Sequence, residues 1–187
     1  MKRILAFFAA AVFVAGCAQT PALTKSGLDP ENFKAERDGA QTALYTLTNK
    51  SGMEVCITNF GGRIVSVMVP DKNGDYKDVV LGFDKISDYF PENNRTDFGA
   101  TIGRYANRIN GGRFTLDGID YQLPQNNFGH CLHGGPDGWQ FKVFNVLEAD
   151  ASHVKLELVS PDGDANFPGK VTADVTFTEK LFGNPRN

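Results

Sequence analysis

Apolar and polar residues alternate along much of the chain with the two-residue period of a β-strand. In residues 170–178, positions 171, 173, 175 and 177 are apolar and their neighbours polar, and Val154, Leu156 and Leu158 alternate with Lys155 and Glu157. Residues 43–48, 54–60, 63–70 and 141–147 look similar, with β-branched or aromatic side chains that pack well on a pleated surface. Hairpin turns are expected at Asn73-Gly74, between the runs 63–70 and 76–82, and at Asp117-Gly118, between 113–116 and 119–123. Both dipeptides readily take the φ > 0 backbone of a two-residue hairpin loop. No 12-residue stretch after the first sixteen residues carries a stripe at i, i+3, i+4 and i+7. The pattern predicts an all-β, antiparallel, sandwich-like fold, with no internal repeat and no mid-chain linker.

The N-terminus reads differently. Lys2-Arg3 precedes an unbroken apolar run over residues 4–15, too short to span a bilayer as a helix but fitting the core of a signal peptide. The run ends Val14-Ala15-Gly16-Cys17, which resembles a bacterial lipobox. This predicts a lipoprotein signal peptide over 1–16, a lipidated Cys17 anchoring the chain to a membrane, a tether over 17–38 and the domain over 39–187. Ala18 and Gln19 follow the cysteine, with no Asp, and by resemblance to known lipoproteins that points to the outer membrane, facing the periplasm. The alternative is an ordinary cleaved signal in which Cys17 stands by chance.

Composition narrows the class. The 187 residues suit one domain. With 15 Phe and only 22% charged residues, the chain is not built as a disordered polyelectrolyte. Nineteen Lys+Arg against 22 Asp+Glu leave a net charge of -3, which argues against a nucleic-acid partner, since phosphate binding needs a concentrated basic face. Three cysteines are too few for a disulfide-stapled mini-protein. Cys56 and Cys131 are available to pair in an oxidising compartment, but the sequence sets no distance between them.

Two segments carry more than strands need. Asp97-Phe-Gly-Ala-Thr-Ile-Gly-Arg-Tyr-Ala-Asn-Arg-Ile-Asn110 places Gly99 and Gly103 beside Arg104, Asn107 and Arg108. The five donors of a guanidinium and the mixed donor-acceptor head of Asn suit the closely spaced hydroxyls of a sugar; the bland alternative is an Arg whose stem covers a sheet edge. Asn126-Asn-Phe-Gly-His-Cys-Leu-His-Gly-Gly-Pro-Asp-Gly-Trp139 sets His130 and His133 around Cys131 in a loop whose glycines let backbone approach a ligand closely. Trp139 is either an apolar face for a pyranose ring or a core anchor. His-Cys-x-His lacks the second Cys/His pair of a structural zinc site, so no metal is expected.

Phe98-Gly-Ala-Thr-Ile-Gly-Arg-Tyr-Ala-Asn-Arg-Ile109, Leu132-His-Gly-Gly135 and Ser160-Pro-Asp-Gly-Asp-Ala-Asn-Phe-Pro-Gly169, in this order after Asn59-Phe-Gly-Gly62, resemble the aldose 1-epimerase (galactose mutarotase) family over about residues 40–178. The resemblance implies an antiparallel β-supersandwich of the mutarotase type and an isomerase that interconverts the α and β anomers of free aldohexoses such as galactose and glucose, without a cofactor. It implies substrate-binding roles for Asn107, Arg108 and His133, with Arg104 structural. Asp162-x-Asp164-x-Asn166 opens like a calcium loop, but Phe167 stands where that loop needs glycine and Ala173 where it needs Glu, so a turn is expected. The family's acid His, in an Asn-His context after the third segment, and its late base Glu have no counterpart here. His153 precedes the place of the acid and is not assigned to it. The expectation is therefore the N-terminal part of an epimerase, poorly stable and little active alone. A non-catalytic carbohydrate-binding lipoprotein is the alternative, and a purely structural envelope module is the third reading.

Overall fold

A computed structural model describes residues 22–178, so Cys17 and its flanking signal lie outside the described residues. Strands and single 3₁₀ turns make up the regular structure, and no α-helix occurs among the described residues. The antiparallel all-β expectation is met.

A 3₁₀ turn at Pro30–Phe33 leads into a small hairpin of β1 (Ala35–Arg37) and β2 (Ala40–Thr42). Leu28 and Phe33 are buried in the core, so the stretch expected to be a tether packs against the domain from residue 28 onward. The main sheet has the order β3 (Leu44–Thr48), β4 (Glu54–Thr58), β5 (Arg63–Pro70) and β6 (Tyr76–Asp78). The hairpin at Asn73-Gly74 forms, but through a loop of residues 71–75 rather than a two-residue turn: Pro70 pairs with Tyr76, only Gly74 of the dipeptide has positive φ (89°), and Asp71 Oδ1 accepts the N–H groups of Asn73 and Asp75. Its second arm stops at Asp78 rather than running to residue 82. One more backbone bond follows, from the Val79 N–H to the Val67 carbonyl at 3.1 Å, but the Asp78 carboxylate accepts the N–H groups of Val67 and Val80 at 3.0 and 3.1 Å and ends the ladder there.

Next come β7 (Arg108–Ile109), the hairpin of β8 (Arg113–Leu116) and β9 (Ile119–Gln122) turned at Asp117-Gly118, and β10 (Cys131–Leu132), which pairs back onto β7. A second sheet has the order β11 (Asn145–Ala149), β12 (His153–Ser160) and β13 (Val171–Thr178). Residues 141–147, expected as one strand, are split. Trp139–Phe141 form a 3₁₀ turn, and residues 142–144 bond to 59–61 (Gly61 N–H to Lys142 O at 2.7 Å, Phe144 N–H to Asn59 O at 2.9 Å) before β11 begins. Asn59 fixes this crossing: its Nδ2 donates to the carbonyls of Gln41 and Phe144, and its Oδ1 accepts the Ala43 N–H.

The core lies on both sides of β4. Cys56 joins Phe33, Phe60, Val65, Ile86 and Tyr89 on one side, while on the other Leu47 and Ile57 meet Phe144 and, from the second sheet, Val154, Leu156 and Leu158. A smaller cluster of Leu123, Cys131 and Phe167 sits under the β7–β10 region. Cys56 and Cys131 are both free and belong to different clusters, so they do not form the disulfide that the sequence left open. Burial pushes the Cys56 thiol up to about 11 and raises that of Cys131.

Candidate sugar-binding site

The pairing of Leu132 with Arg108 between β10 and β7 sets Asn107 and His133 side by side at the ends of the two strands. They lock reciprocally. The His133 N–H donates to the Asn107 carbonyl at 3.0 Å, and the Asn107 N–H donates to His133 Nδ1 at 2.9 Å. With Nδ1 accepting, the neutral ring carries its proton on Nε2. Both residues have left-handed backbone, φ 63° and 52°. That conformation costs non-glycine residues about 1–3 kcal/mol and persists only where surroundings impose it.

Arg108 donates from Nε to Asn127 Oδ1 at 2.9 Å and from Nη1 to Asn107 Oδ1 at 3.5 Å, and its Nη2 has no protein partner among the described residues. Asn126 clamps the loop, donating to the Leu132 carbonyl and accepting the Leu132 N–H as a neighbouring strand would. The three residues singled out from sequence thus converge on one surface. His133 faces a cleft of about 200 Å³ that also takes in Arg95, Asp97, Asn127 and Gln140. Arg108 borders an adjoining cleft of about 530 Å³ with Tyr105, Phe114 and Phe167.

The other candidates have structural duties. Arg104 donates to Ser160 Oγ and to the carbonyls of Ser160, Pro161 and Pro168, tying the two motif segments together. Trp139 is half-buried in the second core cluster, and a Cβ on Gly103 would run into its indole ring. That face is covered by backbone, so Trp139 is a core anchor rather than a stacking platform. His130 Nδ1 accepts the Gly111 N–H at 3.1 Å. No cluster of three or more metal-capable side chains occurs among the described residues. Asp162 and Asp164 accept from the Gly169 N–H and the Ser160 hydroxyl within the turn, and Asn166 Nδ2 donates across to the Gln122 carbonyl of β9. His153 lies in the β11–β12 hairpin between Glu148 at 3.3 Å and Asp150 at 3.0 Å, apart from the clefts.

Sequence reasoning missed Asp97 and Arg63. Asp97 Oδ2 lies 4.0 Å from His133 Nε2. Arg63 is fully buried, and its Nη1 donates to the carbonyls of Thr96 and Phe98, both at 3.1 Å, while Nη2 donates to that of Gln140 at 2.6 Å. It pins the backbone on either side of Asp97. The only prior signal was a carboxylate at the head of the glycine-rich segment and an arginine directly after Gly61-Gly62.

A family model described as aldose 1-epimerase matches residues 43–178. The chain belongs to the aldose 1-epimerase family. It is 38% identical over 151 residues to an aldose 1-epimerase of Haemophilus influenzae, covering 81% of this chain and 43% of that protein. It is 40% identical over 126 residues to a galactose mutarotase of Rattus norvegicus, covering 67% of this chain and 36% of the relative. Among solved structures, an aldose epimerase homologue from C. elegans superposes with a TM-score of 0.70 at 34% identity, over 73% of this chain and 42% of the other. A galactose 1-epimerase from Lactobacillus acidophilus gives 0.64 at 29% identity, over 76% and 42%. The chain thus spans well under half the length of these aldose 1-epimerase relatives, and the Asn107–His133 surface lies inside the shared stretch.

Proposed function

We propose that this chain carries the sugar-holding surface of an aldose 1-epimerase that interconverts the α and β anomers of free aldohexoses such as galactose and glucose. Opening the hemiacetal needs a base for the anomeric hydroxyl proton and an acid for the ring oxygen, both with pKa values near the working pH. Holding the ring in place is a separate task, and this surface is suited to it. His133 offers an Nε2–H donor, Arg108 a guanidinium edge with a free nitrogen, and Asn107 a fixed backbone shape between them. The observation that carries the reading is the reciprocal Asn107–His133 lock inside the family-matched segment.

None of these three residues is assigned as the acid or the base. We therefore expect this chain to bind aldohexose with little acceleration of mutarotation. Calorimetry with galactose and glucose, run beside polarimetry of freshly dissolved α-galactose, tests both parts. Strong enzyme-dependent acceleration contradicts the assignment of roles, and the absence of any sugar binding removes the reading.

The alternative is a non-catalytic carbohydrate-binding lipoprotein, for which the holding residues Asn107, Arg108 and His133 suffice, and sugar binding without mutarotation selects it. Under either reading we propose lipidation at Cys17, with the domain in the periplasm on the outer membrane. It rests on the Val14-Ala15-Gly16-Cys17 run after the apolar segment. Radiolabelled palmitate that fails to label the wild-type chain, or labels Cys17→Ser equally, overturns it.

A further inference from the structure

Among the described residues Asp97 is the one carboxylate lining the His133 cleft, and its backbone is held from both sides. The carbonyls before and after it, on Thr96 and Phe98, are both held by the buried Arg63 guanidinium, and the Ala100 N–H bonds to the Asp97 carbonyl at 3.1 Å. The backbone is fixed, yet the carboxylate itself accepts no hydrogen bond from the described residues. Its side chain is 41% exposed, and the nearest cation-capable group is His133 Nε2 at 4.0 Å, too far for a direct hydrogen bond. His133 cannot turn its other nitrogen to the cleft without losing the Asn107 bond.

We infer that Asp97 and His133 together grip one hydroxyl group of the bound sugar, Asp97 accepting its proton in a hydrogen bond and His133 Nε2–H donating to its oxygen. A hydroxyl oxygen about 2.8 Å from each partner closes a triangle whose angle at oxygen is about 90°, near the natural spread of donor and acceptor directions at a hydroxyl. The 4.0 Å gap is thus one hydroxyl wide. Asp97 becomes a specificity-determining residue that reads the presence of a hydroxyl at a single ring position. A site built to bond a hydroxyl rejects the analogue lacking it, because the carboxylate is then left without its partner. The inference rests on the sugar-holding reading of this surface and adds to it a residue and a chemical requirement.

The test compares binding of galactose and its 2-, 3-, 4- and 6-deoxy analogues to the wild-type chain and to Asp97→Asn and Asp97→Ala, by calorimetry. Asp97 takes no part in the hydrogen bonding of the fold through its side chain, so both variants should melt as the wild type does, and a melting curve verifies this. Loss of a charge-assisted bond predicts roughly 10- to 100-fold weaker galactose binding in both variants. It also predicts that one deoxy analogue binds wild type and variants equally, since it lacks the gripped group. If wild type binds galactose and the variants bind it as tightly, or every analogue remains sensitive to Asp97, the inference falls while the sugar site stands. If wild type binds none of the sugars, both fall.

Discussion

The guanidinium of Arg63 sits with no solvent exposure between the Phe60 and Tyr89 rings, its charge answered by three backbone carbonyls rather than by a carboxylate. Burial lowers its pKa to about 10, yet at neutral pH it stays charged. The planar fork matters more than the charge, because one ammonium cannot reach all three acceptors. Arg63→Lys should therefore cost about 3 kcal/mol, read as a lowered denaturation midpoint in urea. His133→Ala and Arg108→Ala should each weaken aldohexose binding at least about tenfold, as hydrogen bonds to charged or fixed donors do, with near-normal affinity in both removing them from the site. Asp150 behaves differently. The Ser152 backbone N–H, the Ser152 hydroxyl and the His153 N–H all donate to its carboxylate and hold its pKa down to about 2, from 3.8. A depressed carboxylate stabilises the fold above its unfolded pKa, and that contribution fades as pH falls from about 4 to 2. Thermal midpoints of wild type and Asp150→Ala should differ at pH 5 and converge by about pH 2. The motif residues Asn107, Arg108 and His133 were legible because they stand in a long ordered pattern. Arg63 was not, because nothing local distinguishes a buried arginine from one that lies over a sheet edge.

β7 and β10 are two residues each, and their pairing exists because the loops behind them come unusually close. A Cβ on Gly134 would collide with the Gly103 carbonyl, and Gly134 itself has φ 81°. Gly134→Ala should both destabilise the chain by roughly 2 kcal/mol and weaken sugar binding, since it pushes His133 away from Asn107. A variant with unchanged melting and unchanged affinity would show that the approach has no role. The longer strands β3, β4, β5, β12 and β13 were readable from alternation, since each spans enough residues to show a period and packs one or both faces. The pairs β1–β2 and β7–β10 were not, because two or three residues carry no period. Residues 142–144 were misplaced for another reason: the Asn59 side chain draws them to a different partner than their apolar pattern suggested.

β4 of the main sheet lines both core clusters, its Cys56 and Ile57 entering opposite ones beside a bulge in the β4–β5 register. Ile57→Ala should cost about 2–5 kcal/mol, measured by denaturant titration, because Ile57 is fully buried among Leu47, Phe144 and Leu156 and its removal leaves a cavity. Sequence gave the antiparallel class through alternation and turns, but not that one strand is lined on both faces, since both sides being apolar looks locally like a single hydrophobic run. This arrangement also places the amides of 54–58 where no local fraying exposes them, so their exchange with deuterated solvent has to wait for the entire domain to open. A monosaccharide at 100 times its dissociation constant should slow that exchange about 100-fold. A handful of protons on a strand that never meets the ligand then becomes a clock for occupancy, readable without label, optical rotation or any assumption about turnover.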